Sequence, residues 1–399
     1  MEEKIRKIER DEMDEVLALS QFAFQYTLTD DEKEKRLERL SYEEVWGSLA
    51  DGKLASKLHI LDLEIYLAGK RWKMGGVSAV ATWPEYRRSG HVESLLKNSL
   101  KRLKETGYAI SMLHPFKFEF YRRYGWETFV QYKKYKIAMD RFSQFKKMDG
   151  RIERTGRKIG LLNEIYSQYA SKYNGMLVRT DTWWNTRVFT KNNDQAAVYY
   201  RADGTPGGYI LYYTKDEKMI IHEMVHLDIE SLLGLLTFIR QHDSMAESVE
   251  VPLPDAQEFS FLFENPRMLI ETKPYFMARI VDAGKTLEEY SFRIPPGKGN
   301  LFLHVTDGFA DWNDATFQIC YDNGSFSVTT HKNNSTGSSC THLPKRGLSL
   351  DIQTLAAVLF GYQEPSFLYE TGKVIGPKKD VEMLAEMLPE YTPFFNDFF

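Results

Sequence analysis

Arg87, Arg88 and Gly90 stand where a strand-like run hands over to a helical one, in the stretch VSAVATWPEYRRSGHVESLLKNSLKRL from Val77 to Leu103. A junction of this composition is built to hold an anion. The first turn of a helix carries unpaired N–H groups and about half a positive charge. Two arginines just ahead of it add full charges, and a glycine lets a ligand approach the backbone with no Cβ in the way. These are the parts of a pyrophosphate cradle. The P-loop and dinucleotide cradles are excluded, because the stretch lacks G-K-[ST] and has too few glycines for the dinucleotide fingerprint. An exposed basic turn preceding a helix is the competing reading.

Three further segments could carry chemistry. In KFEFYRRYGWE, which follows the strand-like YAISMLHPF, Tyr121 offers a phenol as proton donor, with Arg122 and Arg123 placed to lower its pKa. The bland alternative is a core or rim aromatic beside Phe118 and Phe120. The tail PEYTPFFNDFF puts Phe394, Phe395, Phe398 and Phe399 in its last six residues. Chain ends usually fray, so a tail this apolar is expected to be tucked in. HEMVH, His222 to His226, matches the H-E-x-x-H zinc motif. That motif works on a helix, where residues four apart share a face. Here it closes a hairpin pattern; on a strand the two histidines would lie about 13 Å apart. No metal is expected.

The elements that must position these groups can be read from periodicity. Val92, Leu95, Leu96, Ser99, Leu100 and Leu103 recur at three and four, one buried helical stripe. Ahead of it, Ser78, Ala79 and Ala81 are small enough for another group to approach the strand backbone. KIRKIE reads as a strand, DEMDEVLALSQFAFQY as a helix with an acidic first turn, and KLASKLHILDLEIYLAG as a hairpin. GGYILYYTKDEKMIIHEMVHL is a second hairpin pattern, followed by the amphipathic DIESLLGLLTFIRQH begun by Asp228. The last third has strands NLFLHVTD and ATFQICYDNGSFSVTT, then helices DIQTLAAVLFGY and DVEMLAEMLPEY. Three regions result, residues 1–148, 149–285 and 286–399: two mixed α/β and one α+β.

Composition narrows the class. A chain of 399 residues exceeds one ordinary core. Its net charge of −4 argues against nucleic acid as partner. Two cysteines, Cys320 and Cys340, favour a reducing cytosol, so the sequons at Asn323, Asn333 and Asn334 read as chance matches. The start MEEKIRKIERDEMDEV lacks a signal-peptide core, and no apolar run approaches the ~20 residues of a membrane span. The expectation is a cytoplasmic protein with no membrane partner.

The order R-x-x-G (Arg87 to Gly90), helix, strand, then Y-x-x-x-G-W (Tyr121 to Trp126) resembles the GNAT superfamily of N-acetyltransferases. Two GNAT-like regions, a C-terminal α+β domain and a final phenylalanine narrow the likeness to the Eis (enhanced intracellular survival) family, over essentially the full chain. One departure is Val92, where many GNAT members have Gly or Ala. The resemblance implies tandem GNAT-like mixed-sheet domains, the first catalytic and the second degenerate, then a sterol-carrier-protein-like domain. It implies acetyl-CoA as cosubstrate, with Val80, Ala81 and Thr82 along the pantetheine. Arg88, Ser89, Gly90, His91, Val92 and Glu93 would hold the pyrophosphate, and Phe116 and Lys117 would also bind the cosubstrate. Tyr121 would be the general acid, and Phe399, through its α-carboxylate, the general base. The acceptor would be an amine of aminoglycoside, polyamine or lysine (peptide) type, and the assembly a homohexamer. Asp30, Asp31 and Asp397 are conceivable partners for a polycationic acceptor. The rival reading is a non-enzymatic protein that binds lipid or a partner through its last domain, the first being a cofactor-binding relic.

Overall fold

The structure, a computed structural model, describes residues 3–40, 43–189, 195–254, 259–332 and 346–399. The first region runs β1 (Glu3–Lys7), α1 (Met13–Phe24), α2 (Asp30–Leu40), β2 (Glu43–Ala50), β3 (Lys53–Leu67), β4 (Lys70–Thr82), α3 (His91–Glu105), β5 (Ile110–Leu113), α4 (Phe118–Arg122) and β6 (Glu127–Thr128). Asp51–Gly52 and Ala68–Gly69, all at positive φ, make two-residue turns whose twist matches the flanking strands. They fold β2, β3 and β4 into a meander. KLASKLHILDLEIYLAG is thus one long strand that ends in a turn, not a hairpin in itself. Asp62, which could have marked its turn, instead stays in the strand and accepts a hydrogen bond from the Tyr108 hydroxyl at 2.6 Å.

β4 carries the distortion that matters. Lys57 faces Ala81 and His59 faces Ser78, so the register slips by one residue around Ala79, whose φ is +50°. A bulge of this kind bends the strand and leaves ladder groups unpaired. Parallel pairing of β4 with β5 covers only Met74–Gly76 against Ile110–Met112. Beyond it the two strands separate and a cleft opens. Leu95, Leu96, Leu100 and Leu103 of α3 are buried beside Tyr121 and Trp126 on one face of this sheet.

The second region contains β7 (Gln131–Ala138), β8 (Arg151–Arg154), α5 (Ile159–Ala170), β9 (Tyr173–Asn174), the single-turn α6 (Asp181–Trp183), β10 (Gln195–Tyr200), β11 (Pro206–Lys215), β12 (Lys218–His226), α7 (Ile229–Arg240), β13 (Ser248–Leu253), β14 (Leu269–Pro274) and β15 (Met277–Ile280). Its sheet has the order β14-β7-β13-β12-β11-β10-β8, with the buried faces of α5 and α7 in separate cores. The first sheet has the order β1-β2-β3-β4-β5-β15-β6. The two sheets exchange strands. β15 comes from within 149–285 to join the first, and β7 comes from within 1–148 to join the second.

The last region has α8 (Ala283–Glu289), β16 (Lys298–Thr306), β17 (Ala315–Asp322), β18 (Ser325–Lys332), β19 (Leu348–Asp351), α9 (Ile352–Leu359), α10 (Pro365–Glu370), α11 (Lys378–Met387) and β20 (Thr392–Pro393). Its sheet is β18-β17-β16-β19, and its core is continuous with Phe129, Phe276 and the terminal Phe395 and Phe399. β20 pairs with β9, which leads the tail back toward the first two regions. Cys340, Asn333 and Asn334 lie outside the described residues. Among the described residues, no helix is long and apolar enough to cross a membrane.

Candidate active site

The bulged part of β4, the end of β5, α4 and the chain terminus border one cavity of about 630 Å³. Ser78, Ala79 and Val80 form one wall, His114 to Phe116 and Tyr121 another, and Phe398 and Phe399 close it. Tyr121 and Phe399, far apart in sequence, therefore share a cavity. Arg36, Arg39 and Arg187 also line it, with residues of α1 and the segment after it, and Arg39, Arg187 and Phe398 border a second cavity of about 760 Å³ that runs along β12.

The anion loop sits at the start of α3. Arg88 has φ +66° and Gly90, the residue preceding the helix, φ +87°. Left-handed residues here turn successive N–H groups to one side, the arrangement that cradles anions. Nothing lies within 4 Å of the Cβ that Gly90 lacks, so its positive φ, not crowding, is what calls for glycine. Arg87, Arg88, Ser89 and Glu93 are exposed and free to meet a ligand. His91 and Val92 differ. The His91 ring is buried with Nδ1 2.8 Å from the Ser48 hydroxyl, and Val92 packs on the α3 core, so only their backbone faces the loop. Of the strand residues expected along the pantetheine, Val80 lines the cavity. The Ala81 carbonyl accepts from Ser56 Oγ at 2.9 Å, and the Thr82 hydroxyl lies 2.8 Å from the same oxygen. Phe116 lines the cavity and is 73% exposed, whereas Lys117 is an exposed residue at the start of α4.

Beneath the bulge lies a charged chain that sequence reasoning missed. Lys57 Nζ donates to the Ala79 carbonyl at 2.9 Å and sits 3.0 Å from His59 Nε2. His59 Nδ1 is 2.6 Å from Glu43, which also faces Arg187 at 3.2 Å and Arg36 at 3.7 Å. Burial pulls the Lys57 amine down to about 7, helped by Arg36. Burial and then Lys57 pull the His59 ring down to about 4. Desolvation alone would raise the Glu43 carboxyl, but His59 and the two arginines hold it below its ordinary value. A neutral imidazole donating through Nδ1 to Glu43 and accepting from Lys57 at Nε2 satisfies every partner. Since the C=O and N–H of a trans peptide point opposite ways, Lys57 pins the Ala79 carbonyl and turns the Val80 N–H away from itself. The signal was present as ASKLHIL, two ionisable residues at strand spacing inside an apolar run.

Tyr121 is 3% exposed and packs edge-on against Phe116, Phe120 and Trp126. Burial pushes its phenol well above its ordinary value. The expected lowering by Arg122 does not arise. That guanidinium is bonded to both oxygens of Glu127, at 2.6 to 3.0 Å. The tail is tightly held: Asn396 donates to the His222 carbonyl, Tyr275 donates to the Asp397 carbonyl, and the Asp397 carboxylate accepts from Arg179 and Trp183. The Phe399 ring lies 5.0 Å from that of Phe276 and against Gly76, where a Cβ would come within 2.9 Å of it. Asp30 and Asp31 are exposed at the start of α2, and Asp397 is committed to Arg179. HEMVH lies on strand β12, with Glu223 bonded to Arg179 and Tyr209; the helical face the zinc motif needs is not formed.

Comparison with known proteins agrees with this architecture. Residues 4–129 and 175–280 each match an acetyltransferase (GNAT) domain, and residues 283–396 a sterol carrier protein domain. A probable N-acyltransferase from Enterococcus faecalis is 26% identical, with TM-score 0.90 and full coverage of both chains. A GCN5-related N-acetyltransferase from Anabaena variabilis (24%, TM-score 0.86) and Eis1 from Mycobacterium abscessus (18%, TM-score 0.81), again over the whole of both chains, share the fold. No curated protein matches the chain. GNAT domains use acetyl-CoA as cosubstrate, and the nest at Arg88 and Gly90 fits its pyrophosphate. The chain is an acyltransferase built from two GNAT acetyltransferase domains in tandem and a C-terminal sterol-carrier-protein-like domain.

Proposed function

We propose that the first domain catalyses direct transfer of an acetyl group from acetyl-CoA to an amine, with Tyr121 as general acid and the α-carboxylate of Phe399 as general base. The observation that carries this reading is the meeting of Tyr121, Phe399 and the β4 bulge around one cavity. Acetyl-CoA supplies the thioester carbonyl. An alkylamine near pKa 10 is only about one part in a thousand neutral at pH 7, so the terminal carboxylate has a proton to remove. As the N–C bond forms, negative charge grows on the carbonyl oxygen, and the Val80 N–H, oriented through Lys57, is the donor that meets it. As the C–S bond breaks, the electron pair goes to sulfur. A thiol resembling cysteine has a pKa of about 8.5, so transfer from a phenol raised by burial is uphill: Tyr121 donates a hydrogen bond to the departing sulfur, and a proton it passes on is replaced by the one the carboxylate took from the amine. The products are an amide and free CoA. Arg88 to Glu93 hold the pyrophosphate in this reading, and Phe116 and Lys117 also bind the cosubstrate.

The Eis-like assignment, a cytoplasmic setting and a homohexamer belong to the same proposal. Sedimentation of the purified chain tests the last. The transfer itself is tested by thiol release from acetyl-CoA over an amine panel, with acetylated products identified by mass. Absence of any product would refute it.

A further inference from the structure

The acceptor side of the site is cationic. Arg39 and Arg187 stand at the neck between the two cavities with Arg36 beside them in the inner one, and Glu43, already bonded to His59, is shared between Arg36 and Arg187. Two buried guanidinium nitrogens there, Arg36 Nη1 and Arg39 Nε, have no hydrogen-bond partner, although Arg36 Nη1 lies 3.7 Å from Glu43. The outer cavity adds Lys134 and Lys273. Its three carboxylates are spent. Glu223 and Asp397 are bonded to Arg179, and Glu250 accepts from Lys134 at 2.8 Å. Even with Glu43 and the terminal carboxylate counted, the cations lining the two lobes remain in excess. A polycationic amine entering here would meet an excess of like charge and, among the described residues, no carboxylate without a cation of its own except the chain's final one, while an anion would meet a lining in which cations predominate.

We infer that the acceptor is an amine that carries its own anion, a carboxylate or phosphate a few bonds from the nitrogen, seated at the Arg36–Arg39–Arg187 neck. The anion fixes the amine at the mouth of the inner cavity, between the neck and Tyr121. Naming this ligand an acceptor rests on the acetyl-transfer reading above; the charge of the seat does not.

Matched amine pairs test it: phosphoethanolamine against ethanolamine, and β-alanine against β-alaninamide, with spermidine as the polycation. Thiol release is compared at equal free-amine concentration, and binding of each amine is measured by calorimetry without acetyl-CoA. The anionic member of at least one pair should lead by tenfold or more in kcat/KM and bind more tightly, and spermidine should fall below both anionic members. The pair that discriminates names the anion. Arg39→Gln should bring the members of that pair within threefold of each other. Equal rates within both pairs, or spermidine in the lead, overturns the inference and leaves acetyl transfer standing. Preferred binding of the anionic amines with no acetylation of any amine overturns acetyl transfer, and the acceptor assignment with it.

Discussion

The two GNAT domains repeat one device and finish it differently. In each, a tight hairpin (β3–β4, β11–β12) leads into a helix (α3, α7) that returns to a strand parallel to the last (β5, β13). In each, the hairpin register slips within the second strand, at Ala79 toward the end of β4 and at His222 in the middle of β12. The helix starts then diverge. α3 begins after Arg-Arg-Ser-Gly in a left-handed turn with no side-chain cap, so its N–H groups are open. α7 begins at Asp228, whose carboxylate accepts from the Ser231 N–H at 2.8 Å and pairs with Arg201 at 2.5 Å. A helix start that already holds its own carboxylate has no place for a second anion. One residue choice thus separates an open cradle from a closed one, and the closed domain contributes walls: β12 lines the outer cavity.

The contrast makes graded predictions. Tyr121→Phe, which removes only the phenolic hydroxyl of the open domain, should lower kcat by about 10²–10⁴-fold. Calorimetry should show acetyl-CoA binding within about threefold of the parent, because the ring still fills its place. Lys57→Met frees the Ala79 carbonyl and should lower kcat by about tenfold, since small displacements at a reacting centre are costly. It should also change pH dependence. A lysine held at about 7 binds fewer protons when folded than unfolded. Its cost is therefore absent above the unfolded value of about 10.4 and grows as pH falls toward 7. Denaturation midpoints should rise from pH 7 to 9 in the parent and rise less in the variant.

Smaller effects bear on the two helix starts. Arg88→Ala should raise the KM for acetyl-CoA by about tenfold with kcat nearly unchanged, the loss of one charge-assisted contact. Asp228→Ala should cost about 1 kcal/mol of stability in a denaturant titration, as cap removal usually does, without affecting acetyl-CoA affinity. Weaker acetyl-CoA binding in that variant would mean the second helix start is not closed.

How much of this could be read from the chain depended on distance along it. The α3 stripe, the Arg-Arg-Ser-Gly turn and the Tyr121 segment are local patterns, and Tyr121 lines the inner cavity. The aromatic tail was legible as largely buried, since four phenylalanines so close together cannot all stay in water: Phe394, Phe395 and Phe399 are buried, and Phe398 remains 58% exposed at the cavity's edge. The β4 bulge was not legible. Ala79 takes a left-handed φ without the glycine that usually announces one, and its support comes from Lys57 on the neighbouring strand. The exchange of β7 and β15 was hidden too, since a four-residue strand such as Met277–Ile280 looks alike in either sheet. The arginine neck draws on α2 and on Arg187, about 150 residues apart; only folding brings them together.

Removal of Phe399 tests most directly whether the chemistry runs between the phenol of the open domain and the chain's final carboxylate. With acetyl-CoA and an accepted amine, the truncated chain should lose at least 100-fold in kcat while its calorimetric affinity for acetyl-CoA stays within about twofold. Turnover that survives the truncation unchanged would contradict the account.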